Sequence, residues 1–164
     1  MTTRRLTRDA MLTSVALIIF TVEMQIPPLT SIPGIKMGLA NIITVYAVFA
    51  VGPADAAAIL AARILLGAVI AGNLSTLMYS AAGGCLCLAA MLLMRRVLTE
   101  KQLWVASVIG AAAHNAGQIA VAIAVTGTVG LLAYLPVLLM SGMIAGLFTG
   151  LSAQAVVNRM KGRV

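Results

Sequence analysis

Charge is what this sequence has least of. Only 9% of its 164 residues are charged, and 4 acidic residues stand against 11 lysines and arginines. A soluble domain is about one quarter charged, so these few charges do not cover the surface of a soluble globule. The four acids, Asp9, Glu23, Asp55 and Glu100, are scattered and leave no paired carboxylates to hold Mg²⁺ on a diphosphate. No P-loop pattern is present, which excludes ATP hydrolysis by that chemistry. A single histidine and two cysteines leave little for a metal site or a nucleophilic triad. Cys85 and Cys87, two residues apart in one apolar run, point in different directions on a helix and read as small apolar filler rather than a disulfide. No catalytic residue, metal or cofactor is therefore expected, and a self-sufficient enzyme is not.

What the sequence has in excess is apolar length. It is 62% hydrophobic, with a mean hydropathy of +1.08. A span needs about 20 mostly apolar residues, and six runs are visible: about 7–26, 37–51, 54–71, 74–94, 103–126 and 129–157. They are separated by Pro27-Pro28 with Pro33-Gly34, by Gly52-Pro53, by Gly72-Asn73, by Arg95-Arg96 and by Gly127. Pro136 marks a kink or the true start of the last helix. The second run is the shortest, tilted or partly re-entrant if it does not cross fully. Met1 to Phe20 has the basic start and apolar run of a signal peptide, but no small-residue cleavage site follows, so it reads as a retained first helix. The pattern predicts an all-α membrane protein, one integral membrane domain over 1–164, folded as a six-transmembrane-helix bundle.

The net charge of +7 would suggest nucleic acid in a soluble protein. Here Arg4, Arg5 and Arg8 precede the first run, Arg95, Arg96 and Lys101 lie between the fourth and fifth, and Arg159, Lys161 and Arg163 follow the last. With six spans all three groups fall on one side, which the positive-inside rule makes the cytoplasm. Both termini are then cytoplasmic, the location is a multi-pass protein of the bacterial cytoplasmic (inner) membrane, and nucleic acid is no partner.

Polar residues inside the runs are the candidate site. Arg63 sits in the middle of the third run, where an arginine costs at least about 2.5–3.5 kcal/mol to insert. It either lines a functional cavity or forms a structural ion pair, for which Glu23 is better placed than Asp55. His114, Asn115 and Gln118 form a second cluster, with His114 and Gln118 on one face; they bind a ligand or simply hydrogen-bond between helices. Lys36 stands at the outer mouth with Asn41 one turn inside, and the helix start there offers N–H groups to an anion. Asn73 and Tyr79 lie near the same mouth. Together Lys36, Asn41, Arg63, Asn73, Tyr79, His114, Asn115 and Gln118 are the candidate substrate-binding residues. Gly142, Gly146 and Gly150 make a small-residue stripe, and Ala10 with Ser14 a weaker one; each serves internal packing or a partner subunit.

The stretch Pro33-Gly-Ile-Lys-Met-Gly-Leu-Ala-Asn-Ile-Ile-Thr44 resembles the signature of small bacterial membrane proteins catalogued as heptaprenyl diphosphate synthase component I, also called Gx transporter family proteins. Arg63-Ile-Leu-Leu-Gly67, Tyr79-Ser-Ala-Ala-Gly-Gly84 and Ala113-His-Asn-Ala-Gly-Gln118 support it, and the likeness runs from about Pro33 to Gly150. That family in turn resembles the substrate-capture (S) components of energy-coupling factor (ECF) transporters. The resemblance implies a six-helix subunit that binds a small molecule, for which Arg63 and Lys36 suggest an anionic or carbonyl-bearing one, and docks on a transmembrane coupling subunit with separate ATPases. The S components' docking face, Ala-x-x-x-Ala on the first helix, has Ala10-x-x-x-Ser14 in its place here. The family's other name implies a non-catalytic membrane partner of a prenyl synthase subunit, in isoprenoid or menaquinone side-chain synthesis. The first expectation is the transport subunit; the alternative is the synthase component.

Overall fold

The computed structural model describes residues 2–26 and 36–161. Pro27, Pro28, Pro33 and Gly34, the punctuation between the first two runs, lie outside the described residues, as does Arg163. Among the described residues every regular element is helical: α1 (Thr3–Glu23), α2 (Asn41–Tyr46), which continues as a π-helical turn (Ala47–Val51), α3 (Pro53–Ala71), α4 (Leu74–Met94), α5 (Leu103–Thr126) and α6 (Leu135–Lys161). Short 3₁₀ segments, Glu100–Gln102 and Val129–Tyr134, lead into α5 and α6.

The boundaries follow local chemistry. Pro53 opens α3, where its missing N–H costs nothing. Gly72, at φ 66°, ends α3 in the left-handed conformation. Asn73 then caps α4, its Oδ1 accepting from the Thr76 N–H at 2.7 Å. Pro136 falls at the second residue of α6, so it marks the start of the last helix and not a kink within it.

Four helical segments are long and apolar enough to cross a membrane: Pro53–Ala71, Leu74–Met94, Leu103–Thr126 and Val129–Met160. Helix α1 has 21 residues, but Arg4, Arg5, Arg8 and Asp9 crowd its first half. The second predicted run differs most from expectation. Its helical part, Asn41–Val51, is only about 16 Å long at 1.5 Å per residue, against a hydrocarbon core of about 30 Å. The rest of that run, from Met37 to Ala40, is not helical.

The packing order places the charges. Arg5 on α1 meets Asp55 at the start of α3, and Phe20 lies against Gly67 near the end of α3, so α1 and α3 run parallel. Helices α4, α5 and α6 then alternate in direction. The Leu103 N–H at the start of α5 donates to Gln154 near the end of α6 at 3.0 Å. Arg4, Arg5 and Arg8, Arg95, Arg96 and Lys101, and Arg159 consequently share one end of the bundle. Helix α2 rests inside: Val45, Val48, Ile59, Met91 and Leu103 form one buried apolar cluster. Its far end reaches the basic end, where the Tyr46 hydroxyl lies 3.2 Å from Met160 sulfur.

The stripe Gly142, Gly146 and Gly150 faces α5. A Cβ at Gly150 would sit 2.6 Å from Trp104 Cα, and one at Gly146 3.0 Å from the Ser107 carbonyl oxygen. The small residues thus let α6 pack closely on α5. Ala10 and Ser14 point outward instead, with Ser14 Oγ donating to the Ala10 carbonyl at 2.9 Å.

Candidate functional site

Arg63 lies just past the middle of α3 and is 5% exposed. Its Nε and Nη2 atoms are buried with no hydrogen-bond partner among the described residues. The acid nearest in sequence on its own helix is taken: Asp55 is held by Arg5 and Arg8 at the basic end. Glu23 lies within electrostatic reach of Arg63 but is bonded elsewhere. Its Oε1 accepts the Gly38 N–H at 2.6 Å, and the Leu39 N–H also faces the carboxylate. Among the described residues, Arg63 forms no ion pair.

Lys36 lies within electrostatic reach of both Glu23 and Arg63. Its ammonium sits 3.6 Å from the centroid of the Phe20 ring, a cation–π contact. The Nζ atom is buried and makes no hydrogen bond among the described residues. Burial lowers the Lys36 ammonium to about 8, Glu23 acts in the opposite sense, and Arg63 adds to the fall. Lys36 therefore stays a cation at neutral pH.

His114 stands at the middle of α5, clamped between two glycines. A Cβ at Gly83 on α4 would lie 2.8 Å from its Cε1 and Nδ1 atoms. One at Gly38 would lie 3.1 Å from its Cδ2 and 2.8 Å from Asn41 Nδ2. The Gln118 amide nitrogen is 3.1 Å from His114 Nε2; donating there, it leaves the neutral ring's proton on Nδ1, beside the Gly83 backbone. Gly38 thus carries non-helical backbone to the middle of the bundle, packed on protein, the one setting in which irregular chain is tolerated at such depth. Both polar atoms of the Asn41 amide and Gln118 Oε1 are buried without partners among the described residues.

Five of the eight candidate residues thus converge: Lys36, Asn41, Arg63, His114 and Gln118. Asn115 turns to α6, its amide donating to the Leu138 carbonyl. Tyr79 is buried in an apolar cluster with Ile119, Ala122 and Leu138, one helical turn above Gly83. Asn73 is exposed and spends its side chain on the α4 cap. The N–H groups at the mouth, expected to be open to an anion, are already filled by Glu23. Backbone carbonyls of Gly38, Leu39 and Ala40 accept the N–H groups of Asn41, Ile42 and Ile43.

Sequence reasoning missed that role of Glu23, and it missed Gly38 and Gly83 as the walls of His114. The available signal was Gly83-Gly84 in mid-run, too small a pair for a lipid-facing turn. Among the described residues no three His, Cys, Asp or Glu side chains come together.

The family model for heptaprenyl diphosphate synthase component I matches residues 12–156. No curated protein and no solved structure matches the chain.

Proposed function

The chain belongs to the heptaprenyl diphosphate synthase component I family, and on that premise we propose that it is the non-catalytic membrane component of such a synthase. Its helices anchor in the bacterial cytoplasmic membrane as one multi-pass domain with six crossings and both termini cytoplasmic. A separate prenyl synthase subunit carries the chemistry and docks on the basic end. Two hollows there, one lined by Arg4, Arg5, Arg8 and Asp55, the other by Phe49, Arg95, Leu98 and Lys101, suit an acidic partner surface. The chamber proposed to bind a small ligand is the buried polar cluster of Lys36, Asn41, Arg63, His114 and Gln118.

The observation that carries the non-catalytic role is the chamber's charge: two cations and one carboxylate, with no acid pair for Mg²⁺ on a diphosphate. Chain elongation by this subunit alone is thereby disfavoured, and the family's name supports partnership with a catalytic subunit. Affinity purification of the tagged chain from membranes tests it. Recovery of a prenyl synthase subunit is expected; recovery of a coupling subunit with ATPases and no synthase overturns it.

That second outcome corresponds to the other reading, a substrate-binding subunit of a small-molecule transporter driven by separate ATPases. The broken second segment favours it. In membrane transporters, unwound backbone inside a bundle typically lines the substrate site, and Lys36–Ala40 has that position.

A further inference from the structure

Among the described residues, the charges of the chamber come from Glu23, Lys36 and Arg63. Glu23 is committed to backbone N–H groups, so it neutralises only one of the two cations. One positive charge is left over, and with it five buried donor atoms lack acceptors among the described residues: Lys36 Nζ, Arg63 Nε and Nη2, Asn41 Nδ2 and His114 Nδ1. Two acceptors are left over as well, Asn41 Oδ1 and Gln118 Oε1. Buried polar atoms are rarely left unpaired, and each pair of such atoms names a group on whatever completes the site.

We infer that the chamber takes a small organic monoanion, a carboxylate that also carries a hydroxyl or amide N–H donor, and that it discriminates against diphosphates. The carboxylate completes Arg63 and Lys36, using the side of the guanidinium that offers two N–H groups to a planar acid. The donor completes Asn41 and Gln118. A diphosphate brings more than one negative charge and no N–H donor. In this low-dielectric setting its surplus charge stays uncompensated, and the acceptors of Asn41 and Gln118 stay unpaired. The ligand of the membrane component is then chemically distinct from a prenyl diphosphate. This rests on the chamber being the ligand site, as proposed above, and not on which partner docks below.

The test is thermal unfolding of the full chain in detergent, with N-acetylglycine, glycolate, their neutral amides and inorganic diphosphate as probes. A ligand of the folded state raises the unfolding temperature with concentration. The two carboxylates are expected to raise it in the wild type and in Leu66→Ala, a lipid-facing control, and not in Lys36→Gln. The amides and diphosphate are expected to leave it unchanged. A larger rise with diphosphate, or equal rises for acid and amide, overturns the monoanion assignment while leaving the chamber as the site. No rise with any probe, in a wild type shown to be folded by its single Trp104 fluorescence, overturns the chamber itself.

Discussion

Glu23 Oε1 accepts the Gly38 N–H at 2.6 Å, tying the last residue of α1 to the non-helical backbone that meets His114. The bond places the chain's own carboxylate where the sequence suggests an external anion, and it decides the charge of the chamber.

Removing that carboxylate is therefore costly. Glu23→Ala leaves the Gly38 and Leu39 N–H groups buried without an acceptor and Arg63 and Lys36 unopposed. A loss of about 1–3 kcal/mol per orphaned group is the expected scale, read as a lower midpoint in denaturant titration of the detergent-solubilised chain. An unchanged midpoint contradicts the arrangement.

Glu23→Gln keeps an acceptor for Gly38 and removes only the charge. The chamber then holds two uncompensated cations, and inorganic diphosphate, inert toward the wild type, is expected to raise the unfolding temperature. Identical diphosphate responses in the two proteins contradict the charge accounting.

Gly83→Ala drives a Cβ to 2.9 Å from the His114 carbonyl oxygen, a backbone atom that cannot move aside. Overpacking of this kind costs about 1–3 kcal/mol. Gly130→Ala is the control, because its nearest neighbour would be Thr128 Cγ2 at 3.9 Å. Thermal unfolding of the two variants, compared side by side, is expected to show a loss in the first alone.

Much of this was legible in the sequence. The charge clusters predicted their gathering at one end, and the cost of a buried arginine marked Arg63. His114 and Gln118 were placed on one face by spacing alone. The missed features are non-local. Nothing in Gly-Leu-Ala-Asn announces that α2 starts only at Asn41, because the helix is displaced by a carboxylate 15 residues earlier. Asn73 looked like a ligand group because capping and binding use the same side-chain atoms.

Anion binding is expected to depend on pH through Lys36. Its ammonium titrates near 8, lowered mainly by burial, so attraction for an anion is full below that pH and falls as pH rises through it. Among the described residues, Glu23 on α1, Arg63 on α3, Cys87 on α4 and His114 on α5 are the other titratable groups of the chamber. In Lys36→Met the step near pH 8 is expected to vanish, checked by N-acetylglycine titrations at a series of pH values. The linkage has the opposite sense for stability. The unfolded chain, whose lysine keeps its ordinary value of 10.5, binds the proton more tightly, so this residue's contribution to stability rises between those values.

At the other end, Arg5 Nε donates to Asp55 Oδ1 at 2.7 Å, with both arginines of the clamp largely exposed. Asp55→Asn is expected to lower the unfolding temperature slightly at low salt, and the difference should shrink as added salt screens the wild-type pairs. A difference independent of salt contradicts the ion-pair account.

The most direct measurement is equilibrium binding of radiolabelled N-acetylglycine to the purified chain and to Arg63→Gln. Saturable binding by the wild type, lost in a variant that still elutes as a folded species, is the predicted result. Equal binding by both proteins would show that Arg63 holds no ligand and that the chamber is only packing.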